Sequence, residues 1–227
     1  MGWLRRFLAA ALFCLAHGQA LAAPQTLAIW DFDNNTPGAM GVIQSVEHLR
    51  RVLPEMLLAR LVQAPGLKVV ERVRLREALE EQKLGSSVLA EQDSRVRLGR
   101  ILGAKRMVFG DFTLFGGVLR VDVRVVDVET SQVLMSEPIN GQIADVLENM
   151  LYMADLIAMN LETKLGDAGS VGADPVVWAE YDKGLVQMDA RRFDLAVDTF
   201  KALLTKHPDF TPAERQIKLA LERLARM

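Results

Sequence analysis

Cysteine is all but missing from this sequence. Cys14 is the only one in 227 residues, and it lies in the apolar part of what reads as a secretory leader. MGWLRRFLAAALFCLAHGQALAAPQ begins with Arg5 and Arg6, runs through an apolar core from Phe7 to about Ala16, and reaches the small-residue pattern Ala20-Leu21-Ala22. That order is the one a signal peptidase reads. Residues 1–22 are therefore expected to be removed, with the cut before Ala23 or Pro24. An uncleaved anchor would need ~20 apolar residues, and His17, Gly18 and Gln19 interrupt the run. Leu12 and Phe13 stand before Cys14 where a lipoprotein signal places small residues, so lipidation is not expected there. The mature chain then has no thiol, which excludes disulfides, cysteine-based metal sites and thiol nucleophiles.

Histidine is almost as scarce. Beyond the leader only His48 and His207 remain, and neither has a partner at metal-ligand spacing. A surplus of one charge sign is missing too: the formal charge is −2, with both signs mixed along the chain. No basic field exists to draw in a phosphate backbone, which argues against nucleic acid as a partner. After the leader no apolar run is long enough to span a bilayer as a helix. With half of its residues hydrophobic and a quarter charged, the chain is expected to fold into one or two domains. It reads as an exported, soluble, periplasmic protein.

Periodicity supplies the elements. Leu27 to Phe32 is a short apolar run of strand character ending in the turn cluster DNNTPG. Helix spacing runs from about Val42 to Val62, with a kink or restart expected at Pro54. A strand at Leu67–Val70 and a helix from about Arg74 to Lys83, ended by Gly85, come next. Arg72, Arg74 and Arg76 crowd the start of that helix, although a helix N-terminus favours acids. Glu71, an Arg76/Glu80 pair and the aspartates of the first turn are the candidates to offset them. Asp93 or Ser94 is placed to cap a third helix that ends on Gly103.

KRMVFGDFTLF reads as another strand. In GVLRVDVRVVDV the residues Leu119, Val121, Val123 and Val125 face one way and Arg120, Asp122 and Arg124 the other, the pattern of a strand with one buried and one solvated face. A turn at 129–132 leads to a partner strand, VLMSEPING, and then to a long amphipathic helix from about Ile143 to Leu165. Residues 166–175, GDAGSVGADP, read as a linker. The rest is helical: about Val176 to Met188, Phe193 to Lys206, and a last helix introduced by Thr211-Pro212-Ala213-Glu214, a capping box with proline.

The stretch LAIWDFDNNT resembles the opening of the haloacid-dehalogenase phosphohydrolases, in which the first acid of Asp-x-Asp attacks phosphorus, the second handles the leaving-group proton, and both hold a magnesium ion. On that resemblance Asp31 and Asp33 would be catalytic in a magnesium-dependent phosphatase. The remaining parts of such a site are not placed for it. GDFTLFGG supplies Asp111 but has Phe115 four residues on, and Asn35 stands where that family has threonine or valine. Asp33, Asn34 and Asn35 read instead as residues of a tight turn whose side-chain oxygens bond their own backbone. Gly99 with Gly103-Ala104-Lys105 resembles a phosphate loop, one residue short and with no Ser or Thr after the lysine. No serine, histidine or thiol constellation remains, so no enzyme, no cofactor and no metal site are expected.

From Leu27 to about Leu165 the chain resembles the CsgG/HfaB family of bacterial envelope proteins and, more widely, the TolB N-terminal-like fold. LAIWDFDNNT is similar to the family's first strand and turn. VVERVRLREALEEQKLG is similar to its strand-to-helix signature through Glu71, Arg72, Leu75, Leu79, Glu81 and Gln82. LGRILGAKRMVFGDF and VDVRVVDVETSQVL are similar to its later helix, strand and hairpin. A second resemblance, to a single tetratricopeptide repeat, rests on Gly184, Phe193, Ala196, Phe200, Leu203 and Pro208.

Together these imply an α/β fold, a small mixed and largely antiparallel sheet flanked by helices, followed by a C-terminal helical hairpin with a capping helix. The expected division is a leader at 1–22, a CsgG-like domain at 23–165, a linker at 166–175 and a repeat-like segment at 176–227. Repeat arrays need ~3 units to bury a continuous core, so a single unit must lean on the main domain or on another copy. The resemblance implies a non-enzymatic module that binds envelope proteins in outer-membrane assembly, secretion or cell-wall synthesis. Peripheral outer-membrane association and homo-oligomers are compatible with it. The alternative is a curli-type secretion channel, which needs two extra hairpins of ~9 to 11 residues per strand. Phe112 to Val118 leaves no room for one. Candidate protein contacts are Arg72, Arg74 and Arg76, the strand face Arg120, Asp122 and Arg124, and the repeat helix at Glu180, Tyr181 and Gln187.

Overall fold

The computed structural model describes residues 25–81, 92–166 and 172–227. The leader, the helix end expected at Lys83–Gly85 and residues 167–171 of the linker lie outside these residues. β1 (Gln25–Ile29) buries its apolar half, Leu27, Ala28 and Ile29, and that burial follows from pairing on both sides. It runs parallel to β3 (Leu67–Val70) and to β4 (Arg106–Phe115). A strand covered on both faces and both edges has no solvated positions to alternate with. β4, β5 (Val118–Asp127) and β6 (Val133–Gly141) then pair antiparallel, giving the order β3-β1-β4-β5-β6. The expected turn after β1 is partly strand: β2 (Asp33–Asn34) pairs in parallel with Asp111 and Phe112 of β4. Gly116 and Gly117, both at positive φ (59° and 81°), make the two-residue turn between β4 and β5, a backbone that side-chain-bearing residues resist.

α1 (Met40–Ser45) and α2 (Leu49–Leu61) replace the single helix expected over 42–62. The break falls before Pro54, not at it. Proline lacks the N–H that would bond the carbonyl of Arg50; that carbonyl instead accepts the Phe32 N–H at 3.0 Å, and Arg50 Nε returns a bond to Phe32 O at 3.3 Å. The helix continues through Pro54 because the freed acceptor has a partner in the loop after β1.

α3 (Arg72–Glu81) and α4 (Gln92–Ile101) cover one face of the sheet, where Leu75, Ala78, Val96 and Leu98 meet Ala28, Trp30, Met107 and Phe109. Gly103 ends α4 at φ +69°, as its place in the sequence implies. α2 and α5 (Ile143–Asn160) cover the other face, against Val108, Phe112, Val121 and Val123. α5 stops short of the expected Leu165 because Glu162 turns left-handed (φ 55°) and Thr163 N–H bonds back to Ala158 O.

The C-terminal helices are α6 (Pro175–Asp189), α7 (Phe193–Lys206) and α8 (Thr211–Leu224). Asp174 caps α6 by accepting the Val176 N–H at 2.8 Å, with Pro175 at the start of the helix. The capping box expected at Thr211 does not form, since the cap position is Phe210 and no side chain bonds there. Packing sets that turn instead: the Phe210 ring is buried, edge-on to Trp178 at 5.0 Å and to Tyr181 at 5.5 Å. These helices share one hydrophobic core with α2, α5 and the sheet.

Candidate protein-contact site

The arginines that crowd the start of α3 find their acids across the molecule. Arg72 is buried and bidentate to Asp31, Nε to Oδ1 at 2.7 Å and Nη2 to Oδ2 at 2.8 Å. It also reaches Asp189 at the end of α6, through Nη2 to Oδ2 at 2.8 Å and through Nη1. Arg76 adds a second donor to Asp31. Burial alone would raise the Asp31 carboxyl, but the charges and hydrogen bonds of Arg72 and the charge of Arg76 outweigh it and hold the group at about 2. The carboxylates of Asp31 and Asp189 in turn keep Arg72 protonated despite its burial. Arg76 does not pair with Glu80, which is bonded by Arg191 at 3.2 Å.

A second polar cluster lies under α6. Glu55, in the middle of the apolar stripe of α2, is 1 % exposed. Its Oε2 accepts the Tyr181 hydroxyl at 2.8 Å, Arg215 Nη2 at 2.7 Å and Gln216 Nε2 at 3.3 Å. Burial, then the Glu55 charge, push the Tyr181 phenol well above its usual range. Burial likewise raises the Glu71 carboxyl nearby. Arg51 holds Asp182 in a bidentate pair at 2.6 and 2.7 Å, and Arg223 meets Glu77 at 2.8 Å. Ion pairs thus tie α6 and α8 to α2 and α3 around the rim of an aromatic core.

Two of the expected contact residues are consequently unavailable. Arg72 and Tyr181 are spent inside the protein, because a guanidinium and a phenol beside buried carboxylates are held there by those charges. Arg74 is exposed, and Arg76 is half-buried. Glu180 pairs with Lys206 at 3.1 Å, and Gln187 accepts the Thr199 hydroxyl at 2.7 Å, so both bridge α6 to α7. The triad Glu180, Tyr181 and Gln187 therefore does not form one outward face.

The strand-face residues do come together. Arg120 is bidentate to Asp122, two residues along β5, at 2.7 and 2.6 Å, and Arg124 reaches Asp111 on β4 at 3.4 Å. All stay partly open to solvent: Arg120 by 54 %, Arg124 by 39 % and Asp122 by 32 %. In the first turn Asn34 Oδ1 accepts the Thr36 N–H at 3.1 Å, the expected side-chain-to-backbone bond. Asp33 faces Arg95 instead, at 2.7 and 3.1 Å, and Asn35 reaches Asp111 at 3.4 Å. Both acids of the phosphatase-like segment are thus held by arginines.

A family model described as "Curli production assembly/transport component CsgG" matches residues 9–120. The match takes in β1 through the start of β5, so it includes Arg120 and ends before β6, α5 and the C-terminal helices. No curated protein matches. Among solved structures the chain is similar to the LpoB C-terminal domain from Escherichia coli, at 15 % identity over 59 % of this chain and 93 % of that one, with a TM-score of 0.38. Lipoprotein GNA1162 from Neisseria meningitidis is 17 % identical over 60 % of this chain and 96 % of that one, at a TM-score of 0.37. TolB from Acinetobacter baumannii is 14 % identical over 61 % of this chain and 28 % of that one, at 0.39.

Proposed function

We propose that this protein is an exported, non-enzymatic binding and assembly module of the bacterial envelope that works through protein–protein contact. The observation that carries the reading is the state of its charged groups. Asp31 and Asp33 of the DFDNN segment are held by Arg72, Arg76 and Arg95, whereas the ladder of Arg120, Asp122, Arg124 and Asp111 stands ordered and open on one face of β4 and β5. Charged groups already held in place lose little side-chain freedom on docking, which favours specificity over bulk affinity. The family's description as an assembly and transport component supports the same reading.

Partners in this reading are envelope proteins of outer-membrane assembly, secretion or cell-wall synthesis, with peripheral outer-membrane association and self-association as compatible modes. The repeat-like helices serve as a brace for α2 and α3. The test is release by osmotic shock together with crosslinking in cells and mass spectrometry of the products. Release with the periplasmic fraction and crosslinks to envelope proteins are expected. Recovery of the protein alone at every expression level would overturn the binding reading. Fractionation with outer membranes as a ring-shaped oligomer would replace it with the channel.

A further inference from the structure

Among the described residues β6 has only β5 beside it, so one edge of its backbone is open there. Such an edge is a template for another strand unless it is blunted. Leu134 is the extra residue of a bulge, where Val125 pairs with Met135 and Val126 with Val133, and its carbonyl is only loosely met by Asn160 Nδ2 at 3.5 Å. Pro138 has no N–H to offer, which confines strand pairing to Val133–Glu137.

α5 runs back along this edge. Its outward stripe reads Asp145, Glu148, Tyr152, Leu156 and Met159, at helical spacing. Its start lies beside Gly141, whose built Cβ would meet Asp145 at 3.3 Å, and its end lies beside Leu134 through Asn160. An open groove of about 300 Å3 separates strand and helix, with Ile139 in its wall and Pro138, Asn149, Tyr152 and Leu156 around it. One end of this surface is apolar: Val133 is 52 % exposed, Leu134 40 %, Leu156 45 % and Met159 71 %. The other end carries Glu137, Asp145 and Glu148, with no ion-pair partner among the described residues. No Lys, Arg or His occurs between Arg124 and Lys164. Carboxylates beside exposed apolar groups repel an anionic lipid surface and attract a cationic chain.

We infer that the β6–α5 groove docks an extended segment of a partner protein, basic towards its N-terminal end and apolar or aromatic towards its C-terminal end. The segment lies antiparallel to β6, continuing the antiparallel half of the sheet. Backbone bonds along Val133–Glu137 hold it, its apolar side chains cover Leu134, Leu156 and Met159, and its basic side chains meet Glu137 and Glu148. The inference rests on the binding-module reading and adds to it the chemistry of one partner.

The test is fluorescence anisotropy of the full chain with a labelled octapeptide, Lys-Arg-Lys-Val-Thr-Tyr-Val-Tyr, and with the same residues in reverse order. The forward peptide is expected to bind, and the reverse one to bind about tenfold more weakly. Leu156→Ser and Glu148→Lys, both at exposed positions, are each expected to weaken the forward peptide about tenfold, while Asp198→Lys on α7 leaves it unchanged. Absence of binding, equal binding of the reverse peptide, or no effect of either groove variant overturns the inference. Binding to phosphatidylglycerol vesicles that Leu156→Ser abolishes would give the groove to a membrane surface, and a dimer that the same variant dissociates would give it to a second copy; either result also overturns it. Failure of the peptide alongside successful crosslinking in cells would remove this inference and leave the proposed function standing.

Discussion

At Asp31 a carboxylate with two arginine neighbours replaces the free nucleophile that the DFDNN segment resembles. Arg72 directs four hydrogen bonds at Asp31 and Asp189, and removing it would strand two acids in a poorly solvated place. Arg72→Met is therefore expected to lower unfolding stability by about 3–5 kcal/mol, the usual cost of breaking a buried pair, read by urea denaturation. The Asp31 carboxyl lies at about 2 in the folded chain against 3.8 ordinarily. A depressed acid contributes stability that is complete above the ordinary value and disappears as pH falls through the folded one, here about 2 kcal/mol. The stability gap between the wild type and Asp31→Asn should thus narrow as pH falls from neutrality towards about 2; a constant gap would show that Arg72 does not hold the acid. The Arg72–Asp31 pair was legible in part, since three arginines at a helix start demand nearby acids. The burial of Tyr181 was not. Glu55, an acid between Pro54 and Met56 in an apolar stripe, was the only signal that a partner was needed, and nothing local says that the partner sits 126 residues on.

Among the elements, those with a strong period or clear punctuation match the sequence reading: β3, β5 and α7 lie where alternation, helix spacing or turn residues place them. Misplaced boundaries have tertiary causes. Pro54 does not break α2 because Phe32 uses the freed carbonyl, and α8 starts without its capping box because Phe210 is fixed by aromatic packing. The pair α6–α7 depends on Gly184, read from the sequence as a small packing position. A Cβ there would fall 2.4 Å from the Phe200 ring. Gly184→Ala should force the helices apart and cost about 1–3 kcal/mol in thermal or urea unfolding. An unchanged midpoint would mean that the ring moves freely.

For the molecule as a whole, the C-terminal helices complete the core begun by α2. Trp178, Tyr181 and Leu185 are buried in the same cluster as Leu53, Met56 and Leu57. Removing residues 172–227 would uncover that cluster and deprive Glu55 of Tyr181, Arg215 and Gln216 together. Such a chain is expected to bind a hydrophobic dye and to unfold without a cooperative transition; a sharp transition would instead make the helices a separable unit.

Contact with partners through the open face of β5 is the core of the proposed function. A photoreactive amino acid placed at Arg120 or Arg124 in cells tests it most directly, with one at Lys218 on the exposed side of α8 for comparison. The account predicts discrete adducts with the same envelope protein from both β5 positions and none from the α8 position. Equal labelling at all three sites, or no adduct from β5, would contradict it.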